Sequence, residues 1–164
     1  MILSNTFVYM SLDEESKNKL ISYFSDSLSL EYPLSLDKVH LTIFEGIEVE
    51  NIPNDYFNES FIVKKESFKF GIFPSGENNE NIALVLLFCS KEAISLHNKI
   101  KDDFNLTSVH KEFLPHITLS YLFDKNIDYS KLELPDFDLR FDTFYGCEIP
   151  DISNLEEELN ALFE

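Results

Sequence analysis

The feature that most constrains the fold is a weak internal duplication. The segment 39–44 reads VHLTIF and the segment 115–121 reads PHITLSY, so two His-x-Thr triplets lie 76 residues apart in a chain of 164 residues. Around each triplet the predicted order is the same: a strand, a helix, the strand that carries the histidine, and a further strand. This duplication predicts a single α+β domain made of two pseudo-symmetric lobes, which span approximately 1–76 and 77–164.

The predicted elements come from apolar periodicity, helix caps and turn residues. Strands are expected where β-branched and aromatic residues alternate or cluster: 6–10, 39–44, 61–73, 82–89, 115–123 and 137–149. Helices are expected over 13–24 and 91–104, where capping residues precede apolar residues at helical spacing, and a short acidic helix over 153–163. In the strand 39–44, strict alternation assigns His40, Thr42 and Phe44 to one face.

Composition and charge restrict the ligands. Hydrophobic residues make up 44% and charged residues 26%, which is typical of a globular protein and excludes a disordered chain. The formal charge of −17 disfavours binding to long nucleic acid or to an anionic membrane, so any anionic ligand is expected to be small. Since Arg140 is the only arginine, a phosphate group would be held mainly by other donors.

The cysteines and the apolar runs indicate the compartment. Cys89 and Cys147 form no metal-ligand spacing and are interpreted as reduced core residues of a cytoplasmic protein. The longest apolar run, 82–89, is too short to cross a bilayer, and the start of the chain lacks the features of a signal peptide. We therefore expect neither secretion nor a membrane span.

The two His-x-Thr triplets are the candidate catalytic residues. Because positions i and i+2 of a strand share a face, His40 lies beside Thr42, and His116 beside Thr118. If the lobes face each other, the four side chains converge. One imidazole can then accept a proton while the other donates one, which suits in-line transfer at a phosphodiester without metal or cofactor. The hydroxyls and nearby backbone N–H groups would hold the phosphate oxygens.

A structural role is the alternative for any single histidine on a half-buried strand. The recurrence of threonine two residues after the histidine, on equivalent strands of the repeat, favours catalysis for His40 and His116. His97 and His110 lack this pattern, and we interpret them as an ordinary helix residue and a loop residue.

The paired His-x-Thr signature resembles that of the two-histidine (2H) phosphoesterases over most of the chain. The resemblance implies a bilobal α+β fold with antiparallel sheets around a central cleft. It also implies metal-independent chemistry on 2′,3′-cyclic or 2′–5′-linked nucleotides. His40 and His116 would be the general acid and base, in an order left open, and Thr42 and Thr118 the phosphate ligands.

A narrower resemblance is to the phage-encoded anti-CBASS members of that family. These degrade the cyclic di- and trinucleotide messengers of a bacterial anti-phage defence, in the cytoplasm of the host cell. The resemblance implies that Tyr9 and Glu148 bind the substrate. Because the chain has no tryptophan, Phe70, Phe73 or Tyr145 would stack on the bases.

Two other functions remain open. One is an RNA phosphodiesterase that acts on 2′,3′-cyclic or 2′–5′ linkages, which the charge of −17 disfavours because long RNA calls for a basic surface. The other is a non-catalytic protein that sequesters a nucleotide or imitates nucleic acid, which the two intact His-x-Thr triplets disfavour. Base preference, linkage preference and oligomeric state are left open.

Overall fold

The computed structural model describes residues 5–24, 39–75, 81–123 and 131–148, together with residue 162. These residues contain seven strands: β1 (Thr6–Leu12), β2 (His40–Gly46), β3 (Phe61–Val63), β4 (Lys69–Ser75), β5 (Asn81–Leu87), β6 (His116–Phe123) and β7 (Leu139–Tyr145). They also contain the helices α1 (Glu14–Tyr23) and α2 (Lys91–Asp103). The predicted helix over 153–163 lies outside the described residues, except for Leu162.

The seven strands form one antiparallel sheet in the order β3-β7-β1-β2-β6-β5-β4. The predicted α+β class and the predicted strands and helices within the described residues are confirmed, with one exception. The segment 61–73 is not one strand, because the 3₁₀ turn Lys65–Ser67 divides it into β3 and β4, which lie at opposite edges of the sheet.

Each half of the sheet contains one strand from the other half of the chain. β4 precedes residue 76 but pairs with β5, and β7 belongs to the second half of the chain but pairs with β1. The expected division into lobes 1–76 and 77–164 stays a prediction. β4 and β5 form an antiparallel hairpin across the boundary at residue 76, and the sheet is continuous through its centre.

Both helices begin at the predicted caps. The Asp13 carboxylate accepts a hydrogen bond from the Ser16 N–H at 2.8 Å, and the Ser90 hydroxyl accepts one from the Ala93 N–H at 3.1 Å. The buried faces of the helices join the inward residues of the strands in one core cluster. Because the helices cover this face, the polar residues of the central strands are left on the opposite face of the sheet.

The cysteines differ in their surroundings. Cys147 is buried and free, as expected, whereas Cys89 is exposed because it follows the end of β5 and precedes α2. The prediction that both are core residues is wrong for Cys89. Within the described residues, no helix is both long enough and apolar enough to span a bilayer.

Candidate active site

The two His-x-Thr triplets lie on adjacent central strands, β2 and β6. Leu41 pairs with Ile117 in antiparallel register, so His40 lies towards Thr118 and Thr42 towards His116. All four side chains are half-buried, and all four line one cavity of about 300 Å³. The structure thus brings the four predicted catalytic residues together, and it does so on neighbouring strands of one sheet.

His116 has a defined hydrogen bond. Its Nδ1 lies 2.7 Å from the Leu114 carbonyl oxygen, which can only accept, so Nδ1 carries the proton and donates it. In the neutral ring Nε2 is then the acceptor. Burial lowers the pKa of His116 and outweighs the Leu114 hydrogen bond, which raises it, while the nearby His110 lowers it further. The edge of the Phe73 ring packs against the imidazole, with the ring centres 5.0 Å apart.

His40 lies in an aromatic cluster. The ring of Tyr9 is 4.7 Å from the His40 imidazole, and Phe7 meets the imidazole edge-on at 5.8 Å. Tyr9 also stacks on Tyr145 at 4.9 Å, with nearly parallel rings. The structure therefore places the predicted substrate ligand Tyr9 directly beside one of the two histidines that are predicted to be catalytic.

A β-bulge changes which side chains face the site. Val8 pairs with Phe44 and Tyr9 with Thr42, so Ile43 is skipped in the register between β1 and β2. Phe44 therefore points into the core, where it is 1% exposed, and not to the face of His40 and Thr42 as alternation predicted. Glu45 takes its place and lines the same cavity as the four residues of the His-x-Thr triplets.

A second cavity, of about 410 Å³, adjoins the first and shares five of its lining residues: Thr42, Glu45, Phe73, Pro74 and His116. His110, which was interpreted as an ordinary loop residue, lines it, and its Nε2 lies 3.1 Å from Glu45 Oε2. Sequence analysis missed both Glu45 and His110. Period-2 alternation does not reveal a bulge, and His110 lies outside any regular element.

His97 is buried in α2, as a structural role requires. Its Nδ1 donates a hydrogen bond to the Ile43 carbonyl oxygen at 2.7 Å, and its ring lies flat on Phe113 with the centres 4.3 Å apart. Burial lowers the pKa of His97. His97 forms part of the floor of the second cavity.

Three other predicted residues have different outcomes. Phe70 is 7% exposed and belongs to the core, so it is not a stacking residue. Tyr145 is 40% exposed, and one face of its ring is covered by Tyr9. Glu148 lines neither cavity; it is exposed beyond β7, and its Oε1 accepts a hydrogen bond from the Asn54 N–H at 3.3 Å. Its role in substrate binding stays a prediction.

Among the described residues, no cluster of three or more His, Cys, Asp or Glu side chains has a geometry that could hold a metal.

Comparison with protein families gives a match over nearly the whole chain. The model of the anti-CBASS protein Acb1 family matches residues 4–153. The chain belongs to this family. It is therefore a phosphodiesterase that degrades the cyclic-nucleotide signals of the CBASS defence, and its ligands are small nucleotides.

Solved structures agree on the fold of this Acb1-family protein. Escherichia coli LigT without ligand is 17% identical, with 87% of each chain covered and a TM-score of 0.61. LigT in complex with 3′-AMP is 16% identical over 90% of each chain, with a TM-score of 0.60. A further structure described as a phosphoesterase is 17% identical over 88% of each chain, with a TM-score of 0.60. The search of curated proteins gives no match. The resemblance to the 2H phosphoesterases and their anti-CBASS members is confirmed.

Proposed function

We propose that this phosphodiesterase opens a cyclic di- or trinucleotide by attack of a substrate 2′-OH on the adjacent phosphate, with His116 as the general base and His40 as the general acid. His116 takes the proton of the 2′-OH as the new O–P bond forms. The bond to the 5′-oxygen breaks, and His40 protonates that oxygen. The product carries a 2′,3′-cyclic phosphate, which water then opens with the two roles reversed.

The hydrogen bond between His116 Nδ1 and the Leu114 carbonyl is the observation that carries this assignment. The Nδ1 nitrogen lies 2.7 Å from the carbonyl oxygen and donates its proton to it. In the neutral ring, Nε2 then carries no proton. Burial lowers the pKa of His116, so the ring is neutral at pH 7 and is ready to accept a proton. The other histidine in the cavity, His40, is then the group available to donate one.

The phosphate is held by hydroxyl donors. Thr42 and Thr118 lie on the same cavity wall as the histidines, and their O–H groups can donate to the non-bridging oxygens as charge builds on them. Tyr9 packs on His40 beside the residues that line the cavity, and we propose that it contacts the same substrate. The scheme needs neither metal nor cofactor, and the charge of −17 favours a small cyclic substrate in the cytoplasm over long RNA.

The roles of the two histidines are tested with a substrate in which sulfur replaces the leaving 5′-oxygen. The assay is run in EDTA with a panel of cyclic di- and trinucleotides and a 2′,3′-cyclic-ended RNA, and products are identified by mass spectrometry. On the oxygen substrate, His40→Ala and His116→Ala should each lower kcat by about 10²–10⁴-fold. A thiolate leaves without a proton, so the sulfur substrate should restore cleavage by His40→Ala and leave His116→Ala inactive.

Several outcomes would overturn the proposal. Rescue of His116→Ala in place of His40→Ala would reverse the assignment of acid and base. Cleavage of a 2′-deoxy analogue at an unchanged rate would exclude attack by the 2′-OH. Binding of the cyclic nucleotides with no turnover would make the protein a sequestering protein, and equal turnover of the 2′,3′-cyclic-ended RNA would support the RNA phosphodiesterase.

A further inference from the structure

Glu45 is an unexpected group in a cavity that receives phosphate. The bulge in β2 turns its carboxylate onto the face of the catalytic residues, where its side chain is 30% exposed. An ionised carboxylate accepts hydrogen bonds and donates none, and it repels a phosphate oxygen. The part of a nucleotide that Glu45 can contact favourably is therefore one that presents N–H or O–H donors.

The second cavity places Glu45 next to the phosphate position. Glu45 and Thr42 line both cavities, so a nucleoside joined to a phosphate held at Thr42 can extend along Glu45 into the second cavity. Its volume of about 410 Å³ lies within the range of small-ligand pockets. The lining of this cavity also includes Phe113, an aromatic side chain that a base can contact.

The Glu45 carboxylate is held in position by the loop after α2. His110 Nε2 lies 3.1 Å from Oε2, and the Val109 N–H donates to the backbone carbonyl of Glu45 at 2.8 Å. On the other oxygen, Oε1, the amide of Asn5 lies only at the 3.5 Å limit of a hydrogen bond. Oε1 therefore retains the capacity to accept a strong hydrogen bond from a ligand.

We infer that Glu45 selects the nucleobase, by accepting a hydrogen bond from an exocyclic amino group of a base bound in the second cavity. This inference rests on the proposed function, because it assumes that the phosphate is bound at the four catalytic residues. Adenine, guanine and cytosine carry such an amine. Uracil presents a carbonyl oxygen where cytosine has its amine, and hypoxanthine presents one where adenine has its amine, so both face a carboxylate unfavourably. Where guanine has its amine, hypoxanthine has only a hydrogen and donates nothing to the carboxylate. His110 is a positioning residue that orients the carboxylate.

Inosine provides the test, because its base lacks the amines of both adenine and guanine. Cyclic dinucleotides are prepared in which adenosine or guanosine is replaced by inosine at one position at a time, and kcat/KM is measured for each. For the wild type, replacement at one position should lower kcat/KM by about 10–100-fold, the usual discrimination of a well-placed base contact. In Glu45→Ala, the ratio of kcat/KM for the parent substrate to kcat/KM for the inosine substrate should fall to near one. The exposed Glu66→Gln is the control and should keep the wild-type ratio.

Glu45→Gln distinguishes base reading from a structural role. Where inosine replaces adenosine, the glutamine amide can donate to the O6 carbonyl that stands in place of the amine, so this variant should gain activity on that substrate relative to the wild type. An unchanged inosine ratio in Glu45→Ala, or no inosine penalty in the wild type, would overturn the inference. Loss of activity on all substrates equally, with a lower melting temperature, would show that Glu45 only holds the loop. Because these readouts are ratios between substrates, they are independent of the test of His40 and His116.

Discussion

Leu41 and Ile117 lie opposite one another on the antiparallel strands β2 and β6, and both side chains are completely buried. Each is the middle residue of a His-x-Thr triplet. Because the strands run in opposite directions, this pairing sets each histidine beside the threonine of the other triplet. The internal repeat in the sequence thus becomes a local two-fold arrangement of imidazoles and hydroxyls around one cavity.

The two threonines are expected to contribute similarly. Thr42→Val and Thr118→Val remove a hydroxyl with little change in shape, and each should lower kcat/KM by about 10²-fold, as loss of one oxyanion donor does. Steady-state kinetics on the best cyclic dinucleotide measures the loss, and thermal unfolding checks the fold. Thr143→Val, an exposed residue of β7, is the control and should match the wild type. A large loss in only one of the two variants would contradict the two-fold arrangement.

The pH dependence of catalysis should report the neutral His116. Burial lowers its pKa from the usual 6.5, so the base stays unprotonated to more acidic pH than a free imidazole would. The acidic limb of a plot of kcat/KM against pH should therefore have its midpoint below 6.5, measured in buffers of constant ionic strength between pH 4.5 and 8. An acidic limb centred above 6.5 would exclude His116 as the base described.

The sequence predicted that the histidine and the threonine of each triplet lie side by side, because the required information is local. A histidine and a threonine two residues apart share a face of any extended strand, whichever strand lies beside it. Glu45 was missed for the opposite reason. Its orientation depends on the bulge, which is set by how β1 pairs with β2 at Val8 and Tyr9, and β1 is more than 30 residues away in the sequence. The separation of β3 from β4 likewise depends on long-range contacts, such as the Asp138 carboxylate that accepts from the Lys65 N–H at 2.9 Å.

Phe73 and Phe70 should respond differently to the same substitution. Phe73 lines both cavities and packs on His116, so Phe73→Ala should lower kcat/KM while changing the free energy of unfolding little. Phe70 is a core residue, so Phe70→Ala should lower the free energy of unfolding by about 3–5 kcal/mol. Urea unfolding and kinetics on both variants test the pair. The assignment of Phe73 to the substrate site fails if Phe73→Ala retains full activity.

Stability should fall on acidification through the histidine range. Burial lowers the pKa of both His97 and His116, so between their folded-state values and 6.5 the unfolded chain binds more protons than the folded one. The free energy of unfolding therefore rises with pH in this window. The contribution of the two histidines to it is present above pH 6.5 and is lost as the pH falls towards their folded-state pKa values. Urea unfolding at pH 5.5 and 7.5 measures the difference, and His97→Gln should reduce it, because glutamine does not titrate and its amide can still donate to the Ile43 carbonyl. If the free energy of unfolding of His97→Gln changes between pH 5.5 and 7.5 as much as that of the wild type, His97 does not contribute to the pH dependence.

Gly71 and Gly146 lie 75 residues apart, one residue less than the two His-x-Thr triplets, yet they should differ in their tolerance of alanine. A Cβ at Gly146 would collide with the Ile52 carbonyl oxygen and lie 2.9 Å from the Pro53 backbone. Backbone atoms can move only if the pairing of Ile52 with Cys147 is disturbed. At Gly71 the nearest atom is Leu87 Cδ1, at 2.7 Å, the end of a side chain that can change rotamer.

Gly146→Ala should therefore lower the free energy of unfolding by about 1–3 kcal/mol, the usual cost of overpacking, and Gly71→Ala by much less. Urea unfolding at pH 7.5 compares the two variants directly. The Gly146 N–H also donates to Asn54 Oδ1 at 2.7 Å, so a shift of this segment would reach the loop that holds Glu148. If both variants are equally stable, the close approach of the Ile52 segment to Gly146 is not a constraint on the fold.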